Sequence, residues 1–467
     1  MDFRRETVAE LATRVQSREM SARELVSHAL ERIEALNPEL GAFCAVDGER
    51  VMADAGQLDE WIASGEQVGP LAGIPIGVKD LEHAAGFVTT FGSGVHAHDP
   101  PAADDSVLVA RLRAAGALVV GKTNTPEHGF AGITDNPTFG PTRNPWDPAH
   151  NSGGSSGGSA AAIASGMVPM ATGSDGGGSI RIPSALCGLS GIKTSQGRVP
   201  NGGPTPPAAT VLGSRGPMTR TIRDAALALD ACVGPDHTDL FSFPGLHDPW
   251  HPQLEEVERP ERVVFSRTLG FGSVDDEVAR AVEAAVQELA EAGTEVIEIE
   301  EVFDEDPTLS WFQLWCAARA RSQGHLRGTP QWELIDPPLR SLIDYGERLT
   351  AVDVVRAIDA CHLVNHRLET VAFPHAPVLL CPTVAGQAPV IGHQGTVNGE
   401  ETASWVAFTP FVNLSRNPAG TVNCGFTRGG LPIGLQVIGR QREDLTVLQA
   451  MASIEDLLAM DELAPIG

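Results

Sequence analysis

The chain has 467 residues, 42% of them hydrophobic, so it is long enough to bury a core in one large domain or in two or three smaller ones. Its 33 lysine and arginine residues are outnumbered by 60 aspartate and glutamate residues, which leaves a net charge of -27. That charge repels phosphate backbones and acidic lipid surfaces, so we expect neither nucleic acid nor a membrane as a partner.

The N-terminal segment MDFRRETVAELATRVQSREM is charged throughout and contains no apolar run of the kind found in signal peptides. No later stretch reaches the roughly 18 consecutive apolar residues of a membrane-spanning helix. These two features predict a cytoplasmic protein.

The cysteines are odd in number, widely scattered and without a CxxC pair. They are Cys44, Cys187, Cys232, Cys316, Cys361, Cys381 and Cys424. This pattern predicts reduced, buried side chains and favours neither disulfides nor a zinc site.

The N-terminal third alternates helical and strand patterns. A helix is predicted to begin at Ser21, because Ser21 and Glu24 have capping-box spacing, and to end at Asn37–Pro38. Its apolar stripe consists of Leu25, Ala29, Ile33 and Leu36. A second helix is predicted from about Asp105 to the stop at Gly116, followed by the buried strand ALVVGK.

Further along, the pattern loosens beyond about Pro235 and then predicts a strand over 262–266 and a helix over about 275–292. The segment 310–346 is rich in Trp and Arg and is interpreted as a covering segment. The tail TVNCGFTRGGLPIGLQVIG predicts two apolar strands joined by a turn at 428–430. Helices that alternate with buried strands indicate an α/β fold with a largely covered sheet.

Two common motifs match the chain by accident. GALVVGKT, residues 116–123, fits the phosphate-loop pattern, but its intervening residues form the predicted strand instead of a loop around an anion. G-x-S-x-G occurs at 153–157 and 154–158, yet the preceding NPWDPAHNS lacks the buried strand of a nucleophile elbow. We reject nucleotide binding and an α/β-hydrolase serine on these grounds.

Two glycine-and-serine clusters, NSGGSSGGS and GSDGGGS, lie within residues 151–179, separated by a segment that can form regular structure. They indicate shaped loops on a folded scaffold and disfavour a flexible linker. A serine nucleophile there would need a base. His83, His128 and His150 lie nearest, but each is interpreted as an ordinary surface or supporting residue.

Lys79 is the other candidate base, because it ends the buried strand pattern of LAGIPIGVKD. Burial disfavours the ammonium form and lowers the pKa of a lysine toward that of a useful base. The alternative, that Lys79 merely pairs with Asp80 or another carboxylate, stays open on this segment alone.

At this point three motifs carry a resemblance: LAGIPIGVKD, GGSSGGSAAA and GSDGGGSIRIPSALCGLSGIKTSQGRV, in this order. They are similar to the signature of the amidase signature family of serine hydrolases, continuously from about Leu71 to Val199. The resemblance implies the amidase-signature fold, an α/β fold with a large central mixed β-sheet covered by helices on both faces. It further implies one domain over 1–467, with the catalytic core at about 71–199 and a variable substrate-covering segment at about 235–383.

Residue by residue, the resemblance makes Ser179 the acylated nucleophile, Ser155 the bridging serine that follows a cis peptide bond, and Lys79 the base. The N–H groups of Gly176, Gly177, Gly178 and Ser179 would form the oxyanion hole. Asp175 and Arg181 would pair to stiffen the nucleophile loop. This proton relay needs no metal and no cofactor. Ser156 and Ser159 are interpreted as helix-start and loop hydrogen-bonders.

The chain departs from the common family pattern at two places. Gly176 stands where Thr or Ile is usual, and Lys193-Thr194-Ser195 replaces Lys-Pro-Thr. We expect the extra glycine to make the loop more mobile or to open space beside the scissile bond.

The resemblance implies a hydrolase of a small-molecule carboxamide substrate, with carbamates (urethanes) and esters as further candidates. The alternative is the glutamine amidotransferase subunit of a tRNA-dependent amidotransferase, against which the net charge argues, and a non-catalytic binding protein is the third class. A homodimer is compatible with the sequence. Trp311, Phe312 and Trp315 suggest an apolar substrate pocket, although such spacing is also typical of a core. The segment 386–405 is long enough to act as a mobile lid.

Overall fold

The computed structural model describes residues 1–207, 209, 211–246 and 248–467. The α-helices in this part of the chain are α1 Val8–Gln16, α2 Ala22–Leu40, α3 Gly48–Ser64, α4 Val107–Ala114, α5 Gly157–Ala164, α6 Arg181–Cys187, α7 Ile222–Cys232, α8 Asp276–Glu291, α9 Thr308–Gln323, α10 Pro337–Glu347, α11 Ala351–Arg367, α12 Pro410–Ser415 and α13 Asp444–Leu458. The strands are β1 Phe43–Val46, β2 Pro75–Lys79, β3 Leu118–Thr123, β4 Arg143–Asn144, β5 Asp147–Asn151, β6 Met170–Asp175, β7 Gly191–Lys193, β8 Ser214–Thr219, β9 Arg262–Phe265, β10 Glu295–Glu298, β11 Val378–Pro382, β12 Thr396–Val397, β13 Glu400–Glu401, β14 Ala419–Phe426 and β15 Pro432–Gly439.

The main strands form two mixed sheets, with the orders β1-β3-β2-β6-β8 and β10-β9-β11-β15-β14-β7. In the first sheet β2 runs parallel to β3 and β6, while β1 and β8 are antiparallel edge strands. The sheets adjoin near β8 and β7, where the Ser190 N–H donates to the Arg220 carbonyl at 3.1 Å. The predicted mixed α/β architecture is confirmed, although the strands form two separate hydrogen-bonded sheets where one large central sheet was predicted.

Helices cover both faces of the second sheet. Successive side chains of a strand point to opposite faces, so they enter two different apolar cores. In β11, Val378 and Leu380 belong to one apolar core, while Leu379 and Cys381 belong to the other. Helices α8 and α13 contact β14 and β15, and α6 also contacts these two strands. A strand buried on both faces needs the near-continuous apolar run that the sequence shows there.

Helix α2 begins where the capping box predicts, since the Ser21 side chain accepts from the Glu24 N–H at 3.1 Å and the Glu24 carboxylate accepts from the Ser21 N–H. The predicted end at Asn37–Pro38 is wrong. Pro38 lies inside the helix, which continues to Leu40 and stops at Gly41, whose φ of 60° is left-handed. A proline costs the helix one N–H donor, and here the chain continues for less than one turn beyond it.

The other predicted elements match the structure closely. Helix α4 is followed by Gly116 with φ 98°, and GALVVGKT contains the fully buried strand β3, so the phosphate-loop match is rejected on geometry too. Strand β9, helix α8 and the β14–β15 pair lie where the sequence predicts them. A short strand, β5, does precede the GGSSGG cluster, but it pairs only with β4 among the described strands and is partly exposed.

The covering segment 310–346 consists largely of α9 and α10, which pack on each other, and α9 also contacts α11 and α12. The segment 386–405, predicted as a mobile lid, is instead tied to the body of the protein. The Asn151 N–H donates to the Pro389 carbonyl at 2.7 Å, the Ile391 N–H to the Ala149 carbonyl, and the Ala385 N–H to the Trp405 carbonyl at 2.7 Å. Sequence length alone could not reveal these backbone anchors.

All seven cysteines are unpaired. Six of them are buried as predicted, and Cys44 is half-buried. Among the described residues, no helix combines the length and apolarity needed to cross a bilayer. Within the same part of the chain, no group of three or more His, Cys, Asp and Glu side chains is arranged to hold a metal ion.

Candidate active site

Strands β2 and β6 bring the two halves of the site together. They are parallel neighbours, with Ile76 paired to Met170, so their carboxyl ends meet at one edge of the sheet. Lys79 is the last residue of β2, and Asp175 is the last residue of β6. The glycine-rich loop 176–179 contains the predicted nucleophile Ser179 and is called the nucleophile loop below. It follows β6 directly, and it therefore lies near the lysine.

The Lys79 side chain is fully buried and is surrounded by hydroxyl groups. Its Nζ lies 2.8 Å from Ser155 Oγ, 2.8 Å from Ser156 Oγ and 3.0 Å from Ser174 Oγ. No ion pair among the described residues involves Lys79, because Asp80 pairs with Lys122 at 3.1 Å instead. The alternative in which Lys79 pairs with its neighbour Asp80 is therefore not what the structure contains.

Burial lowers the pKa of Lys79 to about 7, with Glu82 and Asp175 opposing the shift through their charge. A neutral amine has two N–H donors and one lone pair, and three hydroxyl groups surround it. If Ser156 and Ser174 accept the two N–H bonds, the lone pair is left for the Ser155 hydroxyl. In that arrangement the Ser155 hydroxyl donates a hydrogen bond to the Lys79 amine.

Ser155 follows a cis peptide bond, Gly154–Ser155, as the resemblance implied. A side chain on Gly154 would lie 2.7 Å from the backbone of Ile133, so only glycine fits this approach. Ser155 is 2% exposed. The next N–H, that of Ser156, donates to the Ser179 carbonyl at 3.2 Å and ties the two serine clusters together.

Ser179 is 8% exposed. In its loop, one N–H donates to a protein group and the others donate to no described residue. The Gly178 N–H donates to Asp175 Oδ1 at 2.7 Å, so this predicted oxyanion donor already has a partner. In the described part of the chain, the N–H groups of Gly176, Gly177 and Ser179 have no protein acceptor. These three remain available to a bound oxygen.

Asp175 and Arg181 form the predicted pair and are both fully buried, 2.9 Å apart. Every guanidinium N–H of Arg181 has an acceptor: both oxygens of Asp175, the Thr409 carbonyl, Gln436 Oε1 and Asn413 Oδ1. Burial alone would raise the pKa of Asp175, but the Arg181 charge and hydrogen bonds outweigh it and hold the pKa well below its usual range. The pair is accordingly a fixed, ionised support for the loop.

Two tryptophans of α9 lie against the nucleophile loop. Trp311 Nε1 donates to the Gly176 carbonyl at 2.7 Å, and the two indole rings stack with centroids 5.4 Å apart. A Cβ on Gly176 would lie 2.7 Å from the Trp315 ring, and one on Gly177 would lie 2.4 Å from Trp311. The expectation that the extra glycine opens space is therefore wrong, because an indole fills that space; the alternative, that it makes the loop more mobile, stays a prediction.

Other expectations were less accurate. Phe312 packs against Tyr345, with ring centroids 5.2 Å apart. Ser156, interpreted as a helix-start hydrogen-bonder, makes no side-chain cap bond and contacts Lys79 instead, whereas Ser159 Oγ does bond backbone, at the Thr172 carbonyl. In the described residues no hydrogen bond joins any of the three nearest histidines, His83, His128 and His150, to Ser155 or Ser179.

The sequence interpretation missed Ser174, Asn413 and Gln436. Gln436 carried a signal that could have been used, since a lone amide inside the apolar strand GLPIGLQVIG needs a buried partner. Ser174 precedes Asp175 on β6, and no sequence signal pointed to it. Only the pairing of β6 with β2 places it beside Lys79.

Comparison with known proteins shows which family the chain is similar to. The family model described as Amidase matches residues 24–448. The chain is 37% identical to an acylamidase of Rhodococcus erythropolis over 96% of this chain and 94% of that one. It is 34% identical to a subunit of the glutamyl-tRNA(Gln) amidotransferase of Acaryochloris marina, over 96% and 97%. A solved bacterial aryl acylamidase of the amidase signature family superposes with a TM-score of 0.91 at 30% identity, covering 97% and 96% of the two chains.

We predict that Arg181→Met destabilises the protein by about 3–5 kcal/mol, because it leaves the Asp175 carboxylate buried without its counter-ion. The measurement is chemical denaturation followed by circular dichroism. Arg223→Met is the matched control, since Arg223 pairs with Asp456 at 2.8 Å on the surface and its loss should cost under about 1 kcal/mol. Equal losses from both variants would contradict the supporting role of the buried pair.

Proposed function

The chain belongs to the amidase signature family and is an amidase that acts on the C–N bonds of linear amides, and we propose that it does so by acyl transfer to Ser179. The observation that carries this proposal is the buried Lys79, which forms no ion pair with any described residue and lies 2.8 Å from Ser155 Oγ. Beside it is a loop in which three N–H groups have no acceptor in the described part of the chain. A base, a bridging hydroxyl and oxyanion donors are the parts that acyl transfer requires.

In the proposed mechanism, neutral Lys79 takes the proton of Ser155 while Ser155 takes that of Ser179. The Ser179 oxygen attacks the amide carbonyl, and the resulting oxyanion is stabilised by the N–H groups of Gly176, Gly177 and Ser179. When the C–N bond breaks, the proton returns along the same relay to the departing amine. Water then attacks the acyl-enzyme with the same base, releasing the carboxylic acid and free Ser179.

Ser156 and Ser174 have a distinct part in this proposal. Each accepts one N–H of the neutral amine, and together they direct its lone pair toward Ser155. The Ser174 N–H also lies 3.4 Å from Ser156 Oγ, which links the two hydroxyl groups to each other. Lys79 is thereby held in one orientation before any substrate arrives.

We propose N-acyl arylamines as the substrate class. The relative named acylamidase and the superposed structure named aryl acylamidase support this choice. The half-buried Trp311 and the buried Trp315 place an aromatic wall beside the nucleophile loop, where an aromatic group could stack. Carbamates and esters also present an electrophilic carbonyl carbon, which the same nucleophile and oxyanion donors could accept.

The amidotransferase subunit remains the second candidate, since a relative that bears this name is 34% identical over nearly the whole chain. Release of ammonia from glutamine uses the same acyl chemistry. The net charge of -27 argues against a partner that carries tRNA.

We predict that Ser179→Ala folds normally and loses kcat on 4-nitroacetanilide by on the order of 10³-fold or more. Phenylmethylsulfonyl fluoride should sulfonylate Ser179 in the wild-type protein, as peptide mass spectrometry would report. Modification of Ser155 with Ser179 untouched would reverse the assignment of nucleophile and bridge.

The kcat/KM for hydrolysis of 4-nitroacetanilide should rise with pH and reach half its plateau near pH 7, because Lys79 is a base only above its pKa of about 7. Lys193 supplies a matched control. Burial lowers its pKa to about 7 as well, but its Nζ donates to the Thr194 carbonyl and no described hydrogen bond joins it to the serines. The rising limb should survive Lys193→Met and vanish in Lys79→Met, and the reverse result would identify Lys193 as the titrating group.

The purified chain alone should hydrolyse 4-nitroacetanilide with a kcat/KM on the order of 100-fold or more above that for glutamine. Release of 4-nitroaniline and of ammonia measures the two reactions. 4-Nitrophenyl acetate, an activated ester, is the control that reports Ser179 reactivity with little need for a pocket. A preference for glutamine would support the amidotransferase alternative instead.

A further inference from the structure

Helix α9 presents three hydrogen-bond donors at four-residue spacing, on one face, to the loops around Ser179 and Ser155. Trp311 Nε1 donates to the Gly176 carbonyl at 2.7 Å, Trp315 Nε1 to the Phe130 carbonyl at 3.3 Å, and Arg319 Nη1 to the His128 carbonyl at 2.8 Å. The side chains also stack, since the Arg319 guanidinium lies 4.4 Å from the centre of the Trp315 ring. This stack of Trp311, Trp315 and Arg319 joins one rigid helix to the active-site backbone.

The Trp311 bond has a specific consequence for the nucleophile loop. The Gly176–Gly177 peptide is trans, so its carbonyl and its N–H point in opposite directions. When Trp311 holds the Gly176 carbonyl, the Gly177 N–H must point away from α9. That N–H donates to no group in the described part of the chain, so its direction is set by the bond at the other end of the peptide.

The next peptide follows the same rule and provides an internal check. The Gly177 carbonyl accepts from Thr409 Oγ1 at 2.7 Å, and the Gly178 N–H on the opposite side donates to Asp175 Oδ1 at 2.7 Å. This peptide is held at both ends by the protein. The Gly176–Gly177 peptide is held at the carbonyl alone, which leaves its N–H for an external acceptor.

We propose that Trp311 is a positioning residue for the oxyanion hole, in which its indole N–H fixes the Gly176–Gly177 peptide so that the Gly177 N–H faces the developing oxyanion. This inference rests on the proposed acyl transfer at Ser179. The tight fit supports it, because the Trp311 ring occupies the volume that a side chain on Gly177 would need. A purely apolar role would require the ring but not its N–H.

The test separates the N–H from the ring. Trp311→Phe keeps an aromatic ring, and β-(3-benzothienyl)alanine at position 311 exchanges little more than the N–H for sulfur, which keeps the variant folded. Both should lower kcat on 4-nitroacetanilide by about 10-fold to 100-fold, toward the loss of one oxyanion donor. In the benzothienyl variant, which keeps the bicyclic ring, KM should change by less than about threefold. Inhibition by phenylboronic acid, whose serine adduct is tetrahedral and anionic, should weaken by a similar factor.

The control is Phe312→Leu, which removes a neighbouring ring of α9 that packs against Tyr345. Its kcat should stay within about twofold of the wild-type value. A benzothienyl variant with wild-type kcat, or equal losses in the Phe312 variant, would overturn the proposal. If Ser179→Ala is inactive while both Trp311 variants keep wild-type kcat, only the positioning role fails. Full activity of Ser179→Ala would remove the proposed function itself, and the positioning role with it.

Discussion

The buried ion pair between Asp175 and Arg181 is the constraint on which the rest of the site depends. It joins the end of β6 to the start of α6, and through Asn413 and Gln436 it reaches α12 and β15. An ion pair in an apolar interior is tolerated only when its remaining hydrogen-bonding capacity is satisfied, and here every guanidinium N–H has an acceptor. Asp175 also accepts a hydrogen bond from the Gly178 N–H, and this bond connects the nucleophile loop to the ion pair.

Lys79, another buried basic side chain of the site, has no carboxylate partner among the described residues. This contrast with Arg181 is the basis of the proposed chemistry. Lys79 and Asp80 are neighbours, yet Asp80 pairs with Lys122 and leaves Lys79 among hydroxyl groups. Arg181 has a carboxylate partner and an acceptor for every N–H, whereas Lys79 has no ion-pair partner among the described residues and burial lowers its pKa to about 7. The carboxylates are thus distributed so that Arg181 is ion-paired beside the loop, while Lys79 is left without a carboxylate partner, as the proposed neutral base requires.

Much of this arrangement could be predicted from the sequence, because it is encoded locally. The capping box at Ser21, the apolar strand that ends at Lys79, and the glycine clusters around the serines each follow from spacing within a few residues. What could not be predicted depends on contacts between distant segments. The Gly178 N–H was assigned to the oxyanion hole although Asp175 takes it, and the segment 386–405 gave no sign of its anchors on β5.

Gly176 and Trp315 are distant in the sequence but occupy adjoining space in the structure. In this chain Gly176 carries no side chain, and the Trp315 ring lies 2.7 Å from where a Cβ would be. The ring beside Gly176 is therefore supplied by α9, whose own position depends on its packing against α10, α11 and α12. Substitutions that shift α9 should consequently reach the loop, although α9 lies more than a hundred residues from Ser179 in the sequence. Under the proposed function, acyl transfer is assigned to the glycine loop, whereas the aromatic ring beside it belongs to a separate segment, α9.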